Sequence, residues 1–391
     1  MTSTDFLKLR KFAAPEFVFG LGAADLAGQY AVNYEVDKVL VVTDPGVIAA
    51  GWAQPVMASL ARAGAAVEVF SGVSENPKDH EVMAGAAVYA AAGCGAIVAV
   101  GGGSPMDLAK GVGIVSANGG NILDYEGADK VPIPCPPLIC LPTTAGSGAE
   151  VSQFAIITDS VRRVKIAIVS KTTIPDVALI DPALTHTMDA RLTAHTGLDA
   201  LTHAVEAYVS NASSPITDLF ALSAIRRVAA HLAQAVARPG DMVERGGMCL
   251  ASLEAALAFS NAILGAVHAM AHSLGGYLDL PHGECNAILL PHVMAANYDA
   301  APERFDAVAA ALGVPPEVLE DRGAAGRKQA LADAVNALTG SLGIRRGLGE
   351  LGVSRADIAG LAAKAVLDPC MLTNPAALSR EEVEAIYARA L

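Results

Sequence analysis

AIVAVGGGSPMDLAK, residues 96–110, decides the fold. An apolar run leads straight into three glycines, and a helical pattern follows. An apolar run of this length that ends in turn residues reads as a strand. Gly101, Gly102, Gly103 and Ser104 make the turn. Pro105 is placed to open the next helix, because its missing N–H would be unpaired there anyway. Glycines let a backbone approach a pyrophosphate, and a helix N-terminus offers free N–H groups and the positive end of its dipole. The run is GGGSPM and not the G-x-G-x-x-G fingerprint, so the phosphate-cradle reading rests on the strand–glycine–helix order. Asp107 and Lys110 fall on the first turns of that helix, where they can orient a cofactor or the loop.

Outward from this stretch the alternation continues. KVLVVTD (38–44), AVEVF (66–70), PLICLP (137–142) and DVALIDP (176–182) read as strands separated by helical patterns. FAIITD and VKIAIVS, within 154–170, flank a polar turn and read as a hairpin. Strands alternating with helices predict βαβ units and a mostly parallel sheet. After Thr187 strand signals fade, and Ala, Leu, Glu and His recur at helical spacing. Residues 216–237 and 246–276 read as long, apolar, Ala-rich helical stretches. We therefore expect an α/β domain over 1–187 and an all-helical domain over 188–391.

Composition excludes several classes. Of 391 residues, 53% are hydrophobic, which is ample for a large core. No apolar run approaches the roughly 18 residues a membrane span needs. MTSTDFLKLRKFAAPEFVFG lacks an apolar core ending in a cleavage site, so an unprocessed, cytoplasmic chain is expected. The net charge of −13 disfavours nucleic acid, whose phosphates need a basic face. The six cysteines show no CxxC pairing and read as reduced thiols. Few charges and much apolar surface leave room for a homo-oligomer interface.

Two further loops suit a dinucleotide. Asp44, ending the first strand, can accept from a ribose 2′-hydroxyl and would repel a 2′-phosphate, favouring NAD over NADP. Thr143, Thr144 and Ser147 form a hydroxyl-rich loop able to donate to phosphates or nicotinamide. The second half carries two clusters with metal-ligand spacing. HTGLDALTHAVEAY (195–208) holds Asp199 and His203 four apart. VHAMAHSLGGYLDLPHGECNAILLPH (267–292) holds His268 and His272 four apart, with His282 on the loop that follows. Residues at i and i+4 share a helix face, so two faces plus one loop histidine can meet at one cation. His and Asp donors suit divalent iron or zinc. Spacing alone does not say which of the five residues is left out of four seats.

GGGSPMDLAK, LPTTAGSGAE, TGLDALTHAVEAY and HAMAHSLGGYLDLPHGECNAILLPH resemble the iron-containing, or group III, alcohol dehydrogenases. The likeness runs from Phe17 to the DPCMLTNP segment near residue 375. It implies metal ligands at Asp199, His203, His268 and His282, which leaves His272 beside substrate as a proton-relay residue. It also implies that the GGGS loop binds pyrophosphate and that Asn76, Lys165 and Leu184 belong to the cofactor cleft. A Rossmann-like domain, a helical metal-binding domain and an active site in the cleft between them follow from the same resemblance.

The activity so implied is reversible hydride transfer between a short primary alcohol or diol and NAD, with Fe2+ or alternatively Zn2+ as Lewis acid. Residues near Phe154, Phe259 and Cys370 are expected to line the substrate pocket. These are apolar or small, with no arginine or lysine to clamp an anion, so a small uncharged alcohol or aldehyde fits. A glycerol dehydrogenase or a dehydroquinate synthase of the same fold is the alternative. The latter would need a phosphate-holding basic cluster, which is not seen beside the metal motif.

Overall fold

A computed structural model of the chain describes residues 8–320, 323–344 and 347–391. The first seven residues, where part of the unprocessed-N-terminus expectation falls, lie outside them. Two compact units emerge. One is α/β and comprises Ala13–Met188 with Gly240–Cys249. The other is helical and comprises Asp189–Pro239 and Leu250–Leu391, together with the segment ending at Phe12.

The α/β unit is built on nine strands: β1 (Glu16–Phe19), β2 (Lys38–Val42), β3 (Ala66–Phe70), β4 (Ala96–Gly101), β5 (Gly127–Ala128), β6 (Leu138–Pro142), β7 (Phe154–Asp159), β8 (Val164–Val169) and β9 (Val177–Ile180). Its main sheet is parallel throughout, in the order β1-β9-β6-β4-β2-β3. Leaving out β1, this is the 2-1-3-4-5 order of a doubly wound sheet, whose direction of winding reverses between β2 and β4. β7 and β8 form the expected antiparallel hairpin, joined by β5 in a small second sheet.

Helices α1 (Ala27–Asn33), α2 (Pro45–Ala50), α3 (Ala53–Arg62), α4 (Asp79–Ala92) and α5 (Gly103–Asn118) connect these strands. Alternate residues of β4 explain why its apolar run is unbroken. Ile97 and Ala99 join Val82, Leu108 and Val112 on one face of the sheet. Ala96, Val98 and Val100 join Ala27, Val56 and Leu60 on the other. Both faces are covered, so neither set can be polar.

The helical unit contains α6 (Ala190–Val209), α7 (Pro215–Ala237), α8 (Met242–Ala262), α9 (Ala266–Leu278), α10 (His282–Asn297), α11 (Pro302–Ala311), α12 (Pro316–Glu320), α13 (Ala324–Ser341), α14 (Ile358–Ala365) and α15 (Arg380–Ala390). The first turns of α8 fall in the α/β unit. Side-chain caps set several starts. Asp189 accepts from Leu192 N at the head of α6, and Ser214 from Thr217 N ahead of Pro215 in α7.

Three sequence expectations are corrected. The stretch 246–276 is not one helix: it breaks between α8 and α9, which bend by 97°. Ile263 takes φ 61° at the break, a left-handed conformation that the apolar sequence does not advertise. His282 is the first residue of α10 and not a loop residue. Pro105 stands third in α5, which already starts at Gly103. It is tolerated there because first-turn N–H groups have no partner within the helix. Among the described residues, no single helix is long and apolar enough to cross a membrane.

Candidate active site

In the helical unit, Asp199, His268 and His282 present one ligand atom each, all within 4.8 Å of one another. His268 Nε2 and His282 Nε2 lie 3.7 and 3.8 Å from Asp199 Oδ1. In a tetrahedral site with ligand bonds of about 2.1 Å, neighbouring donor atoms stand about 3.4 Å apart, close to this spread. His203 Nε2 is 4.0 Å from the same oxygen, and its ring stacks on His268 and on Phe259. Burial alone would raise the Asp199 carboxyl, but His203, His268 and His282 outweigh it and hold it well below the usual carboxylate range.

Packing explains how three helices reach one point. At Gly283 a Cβ would stand 2.8 Å from the His195 carbonyl oxygen, so only glycine lets the start of α10 close on α6. At Gly265 a Cβ would stand 2.9 Å from Asn374 Oδ1 and 3.0 Å from Glu206 Oε1. The head of α9 is thereby pressed onto both groups. Glu206 Oε1 accepts from Val267 N at 2.6 Å, and Asn374 Oδ1 from Ala266 N at 3.1 Å.

Glu206 was not singled out in the sequence. Its Oε2 accepts from His268 Nδ1 at 2.6 Å, and both side chains are buried. That bond places the His268 proton on Nδ1 and turns a bare Nε2 lone pair toward Asp199, the tautomer a metal requires. The signal was present: 199, 203 and 206 fall at i, i+4 and i+7 of one helical face.

His272 lies beside the cluster, its ring stacked on His282 with centroids 5.4 Å apart. Asp368, also unmarked in the sequence, accepts from His272 Nδ1 at 2.9 Å and from Cys370 N at 2.8 Å. Burial would raise its carboxyl, but His272 and the Cys370 amide hold it at about 2. Cys370 is buried next to this pair, its thiol pushed well up by that burial. Phe259 is buried against His203.

The remaining expected site residues are in the α/β unit. Three loops at carboxyl ends of its strands interlock. Ser104 Oγ donates to Glu75 O, and Ser74 Oγ to Asn76 O at 3.0 Å. Thr143 N donates to Gly101 O at 2.9 Å. A Cβ at Gly102 would lie 3.2 Å from both Thr144 Oγ1 and Thr144 Cγ2, and one at Gly103 would lie 3.1 Å from Ser147 Cβ. The glycine turn and the hydroxyl loop are thus in contact, and side chains on the turn would fill the space. Asp44 starts α2 and spends Oδ1 on Val47 N at 2.9 Å, leaving Oδ2 for a ligand. Asp44 and Gly102 follow β2 and β4, the strands between which the winding reverses, where open α/β sheets bind ligands. Leu184 is packed into the core with Val39 and Val177.

Lys110 is buried and donates to Ser152 O, Ser152 Oγ and Phe154 O at 2.9, 3.0 and 2.7 Å. It therefore holds the loop leading into β7 rather than a ligand. Burial pushes the Asp107 carboxyl up to about 6, against the pull of Lys110 and Lys165. Phe154 is half-buried at the start of β7.

Burial likewise pushes Glu150, 3% exposed, up to about 7 from an ordinary 4.5. The folded chain keeps a proton there that the unfolded chain loses near 4.5, so stability falls as pH rises from about 4.5 to about 7. At about 1.4 kcal/mol per pH unit, the penalty at pH 8 is bounded near ~3 kcal/mol. Glu150→Gln is expected to raise the melting temperature at pH 8 and to leave it almost unchanged at pH 4.5. An equal gain at both values, in thermal melts across pH, would assign the effect to something other than the buried charge.

The model of the iron-containing alcohol dehydrogenases matches residues 14–182, and that of the C-terminal part of the Fe-containing alcohol dehydrogenase family matches 193–391. The chain is 42% identical to the 1,3-propanediol dehydrogenase of Klebsiella pneumoniae, over 95% of this chain and 96% of that one. It is 38% identical to the NAD-dependent methanol dehydrogenase of Bacillus methanolicus, over 97% and 99%. The solved structure of a 1,3-propanediol oxidoreductase superposes with a TM-score of 0.95 at 39% identity, over 98% of this chain and all of that one. Both matched models describe iron-containing alcohol dehydrogenases, a class of oxidoreductase. This chain belongs to the iron-containing alcohol dehydrogenase family and is an alcohol dehydrogenase.

Proposed function

We propose that the chain reversibly oxidises a short, uncharged primary alcohol or diol to the aldehyde with NAD, using Fe2+ or Zn2+ held by Asp199, His203, His268 and His282. The observation that carries this reading is the convergence of ligand atoms from Asp199, His268 and His282, with Glu206 fixing the metal-binding tautomer of His268. Bound there, a divalent cation supplies Lewis-acid polarisation of the substrate oxygen. The residues do the rest. Glu206 keeps a His268 lone pair available, and His272, oriented by Asp368, has Nε2 free of that bond to carry the alcohol proton to solvent. In the α/β unit the Gly102–Gly103 turn holds the pyrophosphate, with Ser104, Thr143, Thr144 and Ser147 about it. Asp44 Oδ2 takes the ribose hydroxyl. Asn76, Asp107, Lys165 and Leu184 complete the walls of the cofactor site, which falls in the unit preceding residue 188.

Phe154 of the α/β unit and Phe259 and Cys370 of the helical unit are the residues we expect to meet the substrate, and none of them offers a charge to an anion. The relatives named for propanediol and methanol fit the same substrate class. A cytoplasmic homo-oligomer is the form in which we expect it to act, on small molecules and without nucleic acid or membrane.

The test is NADH oxidation on a panel of short aldehydes, without oxygen, by protein reconstituted with ferrous iron, with zinc or with no metal. Metal-dependent turnover is expected. Bound metal and NADH without turnover on any aldehyde would overturn the proposal.

Asp368→Asn keeps the Cys370 cap but removes the carboxylate facing His272. We expect turnover to drop by about 10- to 100-fold with metal content unchanged. In a His272→Ala background the same change is expected to cost nothing further, because the carboxylate acts through that ring. Additive losses in this double-mutant cycle would remove Asp368 from the proton path.

A further inference from the structure

Asn286 stands four residues after His282 on α10 and is fully buried. Its amide nitrogen points into the ligand cluster. Nδ2 donates to Asp199 Oδ1 at 2.7 Å and lies 3.2 Å from His268 Nε2 and 3.2 Å from His282 Nε2. These are the three atoms that face one another as ligands. An amide nitrogen carries two N–H hydrogens, so it can donate to at most two of these three neighbours. At the other end of the group, Oδ1 is buried without a hydrogen-bond partner. Turning the amide over would place that oxygen against the Asp199 carboxylate, so the nitrogen faces inward while Asp199 is its neighbour.

A cation bound by these atoms would take the same lone pairs that Nδ2 now approaches. The two cannot share the site. Once the acceptors are taken, nothing polar holds the carboxamide, because its oxygen has no partner to lose.

We propose that Asn286 governs metal capture and release: its amide nitrogen competes with the divalent cation for Asp199, His268 and His282, and must turn away as the cation enters. In the cluster the amide nitrogen takes the part of a cation beside the Asp199 carboxylate. This inference rests on the metal reading above and adds to it a residue that weakens binding instead of supporting it.

The test uses the full chain and its Asn286→Leu variant, which keeps the volume and removes both polar ends, with Asn286→Ala as a second variant should leucine not fold. Zinc affinity is measured by competition with a chelator, and the melting temperature is measured in excess chelator. The expected result is zinc binding at least about tenfold tighter than in the unaltered chain. Slower release to chelator and a lower melting temperature in chelator are expected alongside it. Weaker binding would make Asn286 a ligand or a support, and unchanged binding would make it a bystander. Either overturns the competition. An unaltered chain that binds no zinc or iron overturns the metal reading and the competition with it, so the two failures are distinguishable.

Discussion

His268→Ala is expected to leave less than about a tenth of an equivalent of metal on the purified chain and to lower turnover at least about a thousandfold. That loss corresponds to about 4 kcal/mol of barrier. His268 is buried and contributes the lone pair that Glu206 prepares. Removing it takes away one ligand and leaves a buried carboxylate facing a cavity. The graded companion is Glu206→Gln, of nearly the same size. Loss of the carboxylate that holds Nδ1–H should weaken metal binding by about 10- to 100-fold without abolishing it. Metal analysis beside NADH-linked kinetics checks both. A His268→Ala protein that keeps a full equivalent of metal and normal turnover would place the chemistry elsewhere.

Gly102→Val is expected to weaken NADH binding at least about tenfold and leave metal content unchanged. A Cβ at 102 already meets Thr144 at 3.2 Å, and valine adds two methyls to that approach. Overpacking costs about 1–3 kcal/mol in a closed site, and here it would be imposed on the loop that must approach phosphate. Gly240→Val is the control, since a Cβ there meets nothing within 4 Å. NADH titration by fluorescence separates them. Equal affinity in both variants would show that the turn does not carry the pyrophosphate.

Much of the architecture was legible in residue pattern. The fully apolar AIVAV run and its glycines placed β4 and α5, and texture separated the sheet-forming from the helix-forming half. β1 escaped notice because it is four residues long and mostly exposed, with Phe17 and Phe19 at 42% and 38%. Such a strand has no buried face to leave a pattern; it exists because β9 offers a parallel edge. The break at Ile263 escaped because its glycine, Gly265, follows the left-handed residue and does not occupy that position. Its left-handed residue stands where α8 and α9 part at 97°.

The site divides the same way. Residue type and helical spacing identified Asp199, His203, His268, His272 and His282, since donor chemistry and i,i+4 geometry are local properties. Asp368 binds His272 across 96 positions of sequence, Glu206 reaches His268 across 62, and Asn286 enters the cluster from the third helix. No period predicts such pairings. They depend on how closely helices approach, and at Gly283 and Gly265 that distance is set by the absence of one carbon atom. Local periodicity and side-chain chemistry marked β2–β4, β6–β9, the helix-rich half and the donor inventory. Tertiary structure decided which lone pair faces the cluster and which proton stays on the ring, because those depend on contacts between helices distant in the chain.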